Sequence, residues 1–148
     1  MTHHEFICGD VRQAMQTLPR ESVHGIITSP PYWGLRDYGV DGQLGAEETP
    51  EEYIRELVRV SREMWRVLRD DGTLWLNLGD SYASGGMSNP SSKSTLGGGK
   101  DLGAADYSIT RKVPNSLKPK DLVGIPWRVA FALRADGWYL RSDVVWEK

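Results

Sequence analysis

The sequence has little of what several classes of protein require. Among its 148 residues there is one cysteine, Cys8, so an internal disulfide cannot form and a zinc site would lack thiolate ligands. The three histidines, His3, His4 and His24, do not have metal-ligand spacing, and we assign no metal site. No apolar run approaches the ~20 residues that cross a bilayer, and the first residues do not form a secretory signal. We therefore expect a soluble, cytoplasmic protein with no membrane partner.

What is present suffices for one α/β domain. Hydrophobic residues make up 39% of the chain and the net charge is −2, which fits one domain with a real core. Short apolar runs alternate with helical apolar stripes. We predict strands at 6–8, 23–28, 73–78 and 138–147, and helices at 11–18, from 50 to a stop at 72, and at 122–136. This order predicts a layered sheet, mostly parallel, with helices on both faces.

Two of these helices have clear boundary signals. Asp10 is a good N-cap for the first helix. Thr49 caps the second, Pro50 occupies its first position, and Glu52 completes a capping box. Gly72 is the residue type that commonly follows the last turn, so we predict that the second helix stops there.

The composition changes between residues 79 and 118. Seven glycines lie between Gly79 and Gly103, interleaved with serines, and we predict a long flexible loop at 79–118. From Ser84 to Lys120, six basic residues face two acidic ones, a local charge of +4. The basic residues are Lys93, Lys100, Arg111, Lys112, Lys118 and Lys120. Such a segment suits a polyanion, although a solvated linker with incidental lysines explains the same pattern.

Polar groups follow three of the predicted strands. Ligands of parallel sheets bind at the carboxyl ends of the strands, and here those ends carry Asp10, residues 29–32 (SPPY) and Asp80. The two prolines cannot continue a strand ladder, so they leave carbonyl oxygens free beside the Ser29 hydroxyl. Tyr32 adds a flat ring for stacking. This combination fits a planar substrate with an NH₂ group, whereas Asp10 and Asp80 have plainer explanations as a helix cap and a turn former.

Residues 28–39 (TSPPYWGLRDYG) resemble the catalytic segment of amino-group DNA methyltransferases, which use S-adenosylmethionine. Residues 9–10 (GD), 78–80 (LGD), 119–128 (PKDLVGIPWR) and 137–146 (GWYLRSDVVW) are similar to further landmarks of that family, in the same order. The resemblance covers almost the whole chain. It implies a Rossmann-like methyltransferase fold and a site-specific enzyme of a restriction–modification system, with double-stranded DNA as substrate and a restriction endonuclease as a candidate partner.

The resemblance assigns the target amine to the turn after the second strand. The base would be flipped out of the duplex, and the Ser29 hydroxyl and the Pro30 carbonyl would accept hydrogen bonds from its amine. Tyr32 would stack on the base. The catalytic residues would then be Ser29, Pro30, Pro31 and Tyr32. Serine at the first motif position is more typical of relatives that methylate cytosine N4, and adenine N6 is the alternative.

The resemblance also assigns a cofactor site. Asp10 would contact the adenosyl part of S-adenosylmethionine, and Thr28 and Ser29 would line the same site. The amine nitrogen is itself the nucleophile, so no covalent enzyme intermediate is needed. Cys8, inside the predicted first strand, is therefore expected in the core rather than in the chemistry.

Candidate DNA contacts lie in two places. Trp33 and Arg36 follow the catalytic turn, and the six basic residues of 84–120 form the second group. Each has a plainer explanation: Trp33 as a core aromatic, and Arg36 as a partner of Asp37. A non-catalytic DNA-binding remnant, or an enzyme acting on RNA or a protein amide, remains an alternative function.

One family feature is missing from the sequence. Relatives carry a glycine-rich Phe-x-Gly-x-Gly turn that cradles the cofactor, and no such segment occurs among the 148 residues. We therefore predict that residues 1–148 are the N-terminal part of one catalytic domain, completed by a C-terminal half or a complementing chain. In the family fold, the strands before Asp10 and before Ser29 are not neighbours, so their ladder groups need partners from that other part. We expect weak or no cofactor binding by these residues alone.

Overall fold

The computed structural model describes residues 4–83 and 116–145. Their elements are α1 (Val11–Gln16), β1 (Val23–Thr28), α2 (Pro50–Val67), β2 (Leu68–Leu76) and α3 (Ile125–Ala135). The described residues thus form a small α/β fold of two parallel strands and three helices, as the alternating pattern predicted in outline. The greater part of the predicted 79–118 loop lies outside the described residues.

The helix α2 begins as its sequence predicts and ends earlier. The Thr49 side chain accepts a hydrogen bond from the Glu52 amide at 3.2 Å, and the Glu52 carboxylate accepts from the Thr49 amide at 3.1 Å. The predicted stop at Gly72 is wrong, because the helix ends at Val67 and Gly72 lies within β2. Glycine is needed there for another reason: a Cβ on Gly72 would come within 2.6 Å of Leu68 Cγ.

The parallel pair β1–β2 fixes which segments leave the sheet together. Ile26 pairs with Leu74 and Thr28 with Leu76, after an irregularity near the start of β1. The Asn77 amide then donates to the Thr28 carbonyl at 2.9 Å, extending the ladder by one bond. The chain after β1 and the chain after β2 therefore emerge side by side at one edge.

The core lies beside that edge. It is built from Tyr53 and Leu57 of α2, Val129 and Leu133 of α3, and Trp33 from the loop after β1, together with Val123 and Ile125. The helices α1 and α3 both contact α2. The opposite face of the sheet is open, since the paired residues Ile27 and Trp75 are 87% and 56% exposed. The predicted helical layer on that second face is not found among the described residues.

Two predicted strands do not form in the described part of the chain. Residues 6–8 and 138–145 have no strand structure, and Phe6 and Tyr139 are 96% and 82% exposed. Cys8 is exposed, so its predicted burial in the core is wrong. The physical reason is that a strand must pair its backbone donors and acceptors with a neighbour, and these segments have none here.

Candidate active site at the end of β1

The turn at residues 29–32 brings a hydroxyl and an aromatic ring together. The prolines end β1 immediately after Thr28. The Ser29 hydroxyl donates to the Tyr32 hydroxyl oxygen at 3.3 Å. Ser29 is exposed and Tyr32 is partly buried, so the pair is open to solvent on one side. The turn can therefore present an acceptor oxygen next to a flat ring.

The two proline carbonyls differ in their hydrogen bonding. The Pro31 carbonyl accepts a hydrogen bond from the hydroxyl of Tyr53 at 2.8 Å. The Pro30 carbonyl accepts none from the residues that the structure describes. Tyr53 is fully buried in α2, and burial raises the pKa of its hydroxyl, so it stays protonated and donates at any ordinary pH. The fold thus occupies one carbonyl of the turn and leaves the other available.

Trp33 belongs to the core rather than to the surface. Its side chain is 1% exposed, and its indole nitrogen donates to the Glu47 carbonyl at 2.9 Å. Its own carbonyl accepts from the Ser81 hydroxyl at 3.2 Å. This burial favours the explanation of Trp33 as a core aromatic, and the DNA contact at Trp33 stays a prediction.

The loop at 45–47 supports the turn from behind. The Gly34 amide donates to the Gly45 carbonyl at 2.6 Å, and the Gly45 amide donates to the Glu47 carboxylate at 2.8 Å. Gly45 has φ +89°, and a Cβ there would lie 2.9 Å from the Tyr32 carbonyl oxygen. Only glycine suits this position, because it adopts the left-handed region and leaves room for the neighbouring chain. Partial burial raises the pKa of the Glu47 carboxyl.

The chain after β2 supports the ring of Tyr32. A Cβ added to Gly79 would come within 2.7 Å of Tyr32 Cε2 and 2.8 Å of Cδ2. The ring of Tyr32 therefore rests on the bare backbone at residue 79. In the sequence, Gly79 belongs to the landmark at 78–80 and begins the predicted glycine-rich loop, and neither feature indicates the contact with Tyr32.

Asp80 caps a helix that lies far away in the sequence. Its carboxylate accepts from the Gly124 amide at 3.0 Å and from the Ile125 amide at 3.0 Å, at the start of α3. It also accepts from the Ser81 amide at 2.8 Å. The first amides of a helix lack partners within it, and Gly124 at the N-cap position has no side chain to accept from them. The Asp80 carboxylate accepts their hydrogen bonds instead. The sequence suggested a turn former here, and the long-range cap was missed because its two parts are 44 residues apart.

Asp10 caps α1, as its sequence position predicted. Its carboxylate accepts from the Arg12 amide at 2.9 Å and from the Arg12 guanidinium at 2.9 and 2.7 Å. The hydrogen bonds from Arg12 lower the pKa of this carboxyl from 3.8 to about 2. The carboxylate is therefore ionised at neutral pH, but it is already engaged by a neighbouring cation.

Two cavities lie near these residues. One cavity, of about 930 Å³, is lined by β2 and by the segment 138–144. One of about 650 Å³ lies between Arg12, Glu47, Glu56 and the 37–43 loop. Neither is lined by Asp10, Thr28 or Ser29. These two cavities are therefore not the cofactor site that the resemblance assigns to those three residues.

The predicted basic contacts lie partly within the described residues. Arg36, Lys118 and Lys120 are exposed. The Asp37 carboxylate, the alternative partner of Arg36, accepts from the Gly39 amide at 2.8 Å. The remaining predicted contacts, Lys93, Lys100, Arg111 and Lys112, lie outside the described residues. In the parts of the chain that are described, no group of side chains with metal-ligating chemistry and no membrane-spanning helix was found.

Comparison with known proteins identifies the class. The chain belongs to the N6/N4 DNA methylase family, whose profile matches residues 23–148. It is 52% identical over 144 residues to the type II methyltransferase M.SmaI of Serratia marcescens, covering 97% of this chain and 47% of that protein. It is 51% identical over 142 residues to M.Cfr9I of Citrobacter freundii, covering 95% of this chain and 45% of that protein.

A more distant relative also matches the chain over only part of its own length. The type II methyltransferase M.MwoI of Methanothermobacter wolfeii is 36% identical over 148 residues, covering 100% of this chain and 18% of that protein. No solved structure matches the chain. The chain thus spans less than half the length of the curated relatives it matches. Membership of this family implies S-adenosylmethionine as the methyl donor.

Proposed function

We propose that this chain supplies the base-holding part of a DNA methyltransferase site. The complete site would transfer a methyl group from S-adenosylmethionine to the exocyclic amine of a flipped base in double-stranded DNA. The observation that carries this proposal is the turn itself, where the Ser29 hydroxyl lies 3.3 Å from the Tyr32 hydroxyl and the Pro30 carbonyl is free of partners in the described chain. Family membership supports the reaction class.

Each residue of the turn has a distinct role in this proposal. The Ser29 hydroxyl and the Pro30 carbonyl accept the hydrogen atoms of the amine, which directs its lone pair away from the protein. Tyr32 stacks on the flipped ring, and Pro31 keeps the turn rigid. Positioning of this kind lowers the barrier without any covalent intermediate on the enzyme.

We further propose cytosine N4 as the methylated position, because Ser29 occupies the first place of the motif. Adenine N6 is the alternative. Arg36, Lys118 and Lys120 are proposed phosphate contacts, because all three are exposed. Lys93, Lys100, Arg111 and Lys112 extend this proposal on sequence grounds, and a restriction endonuclease of the same specificity is the proposed partner.

The proposed cofactor contacts depend on further polypeptide. Asp10, Thr28 and Ser29 are proposed to contact S-adenosylmethionine only when further polypeptide completes the site. Two features support this: Arg12 holds the Asp10 carboxylate, and neither cavity described above includes any of the three residues. The 148 residues alone should therefore bind the cofactor weakly or not at all.

The test compares the chain alone with a chimaera in which it replaces the matching part of the Serratia marcescens relative. DNA incubated with each protein and the methyl donor is digested, and its nucleosides are analysed by mass spectrometry. We expect N4-methylcytosine from the chimaera and no methylated base from the chain alone. Ser29→Ala and Tyr32→Ala should each abolish the product, and a Tyr139→Phe control should not.

Other outcomes would change the conclusion. Detection of N6-methyladenine would make adenine N6, instead of cytosine N4, the methylated position. Methyl transfer by the chain alone would overturn the cofactor proposal. Salt-dependent DNA binding that is unchanged in Ser29→Ala and Tyr32→Ala, without any methylated product, would favour a non-catalytic DNA-binding protein.

A further inference from the structure

We propose that Gly79 is a positioning residue of the site: its lack of a side chain lets the ring of Tyr32 lie where it can stack on a base. The inference rests on the proposed function of Tyr32. It concerns a residue outside the catalytic turn, on the segment that follows β2.

The contact is close and specific. A Cβ on Gly79 would come within 2.7 and 2.8 Å of two carbons of the Tyr32 ring, distances that no side chain tolerates. Gly25 in β1 offers a contrast, because the nearest atom to a Cβ there is the Thr73 carbonyl oxygen at 3.8 Å, an ordinary contact. Adding one methyl group therefore displaces the ring at residue 79 and displaces nothing at residue 25.

The backbone at residue 79 cannot easily move aside. Its neighbour Asp80 is tied to the start of α3 through the Gly124 and Ile125 amides. Ser81 is tied to the Trp33 carbonyl through its hydroxyl, and its own carbonyl accepts from the Val123 amide at 2.8 Å. A clash at residue 79 must consequently be relieved by the ring of Tyr32.

The turn that carries the ring is equally fixed. The Pro31 carbonyl is held by Tyr53, and the Tyr32 carbonyl is packed against Gly45. The ring is therefore the part of this contact that is free to rotate. If it swings away from Gly79, it also leaves the Ser29 hydroxyl, so the two groups that hold the base separate.

The contact is tested first by unfolding. Gly79→Ala, Tyr32→Ala and the double variant are unfolded in urea as the 148-residue chain, with Gly25→Ala as the matched control. We expect Gly79→Ala to lower the urea midpoint in the parent chain but not in the Tyr32→Ala background, where the clash is gone. An equal loss in both backgrounds would overturn the proposed contact, and it would do so whether or not the protein methylates DNA.

The role in positioning is tested in the chimaera described above. Gly79→Ala should lower kcat by about 10²-fold while KM for DNA changes little, because a small misplacement of the base affects the reaction more than the binding. Gly25→Ala should leave both constants unchanged. An unchanged kcat in Gly79→Ala, with the unfolding result as expected, would reduce Gly79 to a packing residue. No methyl transfer by the unsubstituted chimaera would instead refute the proposed function, and the positioning role with it.

Discussion

The segment after β1, residues 29–33, and the two extended segments at 4–9 and 139–145 all contain aromatic side chains, but these side chains differ in burial. Trp33 in the first is 1% exposed, whereas Phe6 and Tyr139 in the others are 96% and 82% exposed. The turn is held by partners from α2, from the 45–47 loop and from the chain after β2. The difference shows that an apolar run becomes buried only when another element is present to receive it.

The turn at 29–32 and the open face of the sheet differ in the same way. The residues proposed to hold the base have their supports within the described chain. The open face of the sheet, with Ile27 and Trp75, has no such cover here. The base-holding turn should therefore keep its shape in the 148 residues alone, and three experiments break or sharpen that contrast.

The largest effect is expected from removing the buried indole. Trp33→Ala should lower the free energy of unfolding by about 3–5 kcal/mol, because it empties a fully packed site. Urea unfolding followed by circular dichroism measures the change. Trp75→Ala on the open face is the control, with an expected cost of less than about 1 kcal/mol. Equal costs at the two positions would break the contrast between the regions.

A smaller effect is expected from removing one hydrogen bond to the turn. Tyr53→Phe keeps the buried ring and deletes the hydroxyl that donates to the Pro31 carbonyl at 2.8 Å. The free energy of unfolding should fall by about 1–3 kcal/mol, since the carbonyl is left without its donor. Tyr139→Phe, at an 82% exposed site, should change nothing measurable. A loss of similar size in Tyr139→Phe would show that the extended segment is packed in solution.

The smallest effect is expected at Asp10, where the extended N-terminal segment meets α1. Hydrogen bonds from Arg12 hold the pKa of Asp10 at about 2. A lowered pKa favours the folded state above the unfolded value of about 3.9, and this stabilisation is lost as the pH falls towards 2. In Arg12→Ala the pKa should rise, although it should stay below 3.8 because the amide of residue 12 still donates.

Carboxyl chemical shifts followed by NMR titration measure this change. Asp71 is the internal control, because its pKa is lowered by Arg69 and should not respond to Arg12→Ala. An Asp10 titration unaffected by Arg12→Ala would mean that the pair at 2.7 Å does not persist in solution.

Local signals in the sequence predicted local structure well. The capping box at Thr49 and Glu52, the cap at Asp10 and the strand at 23–28 all depend on residues within a few positions of each other, and all are confirmed. The stop at Gly72 failed because a glycine after a helix also suits an irregular strand. In this chain Gly72 lies within β2, where its close approach to the Leu68 side chain leaves no room for a Cβ.

Contacts between distant segments were not accessible from the sequence. The cap of α3 by Asp80, the support of Tyr32 by Gly79 and the bond from Tyr53 to Pro31 each join residues brought together only by the fold. The motif at 29–32 could be found from its residue types, but the groups that hold it in place could not. The predicted strands at 6–8 and over 138–145, the described part of 138–147, failed for a related reason, since pairing depends on a neighbour that composition does not reveal.

The single thiol of Cys8 provides a way to monitor the association of this chain with further polypeptide. Cys8 is exposed and the sequence contains no second cysteine, so a maleimide dye would label one known atom without background. Its alkylation rate would then report on the N-terminal segment directly. Addition of the C-terminal half of a relative should slow that rate if the segment becomes covered, giving a readout of assembly that needs neither DNA nor a methyl donor.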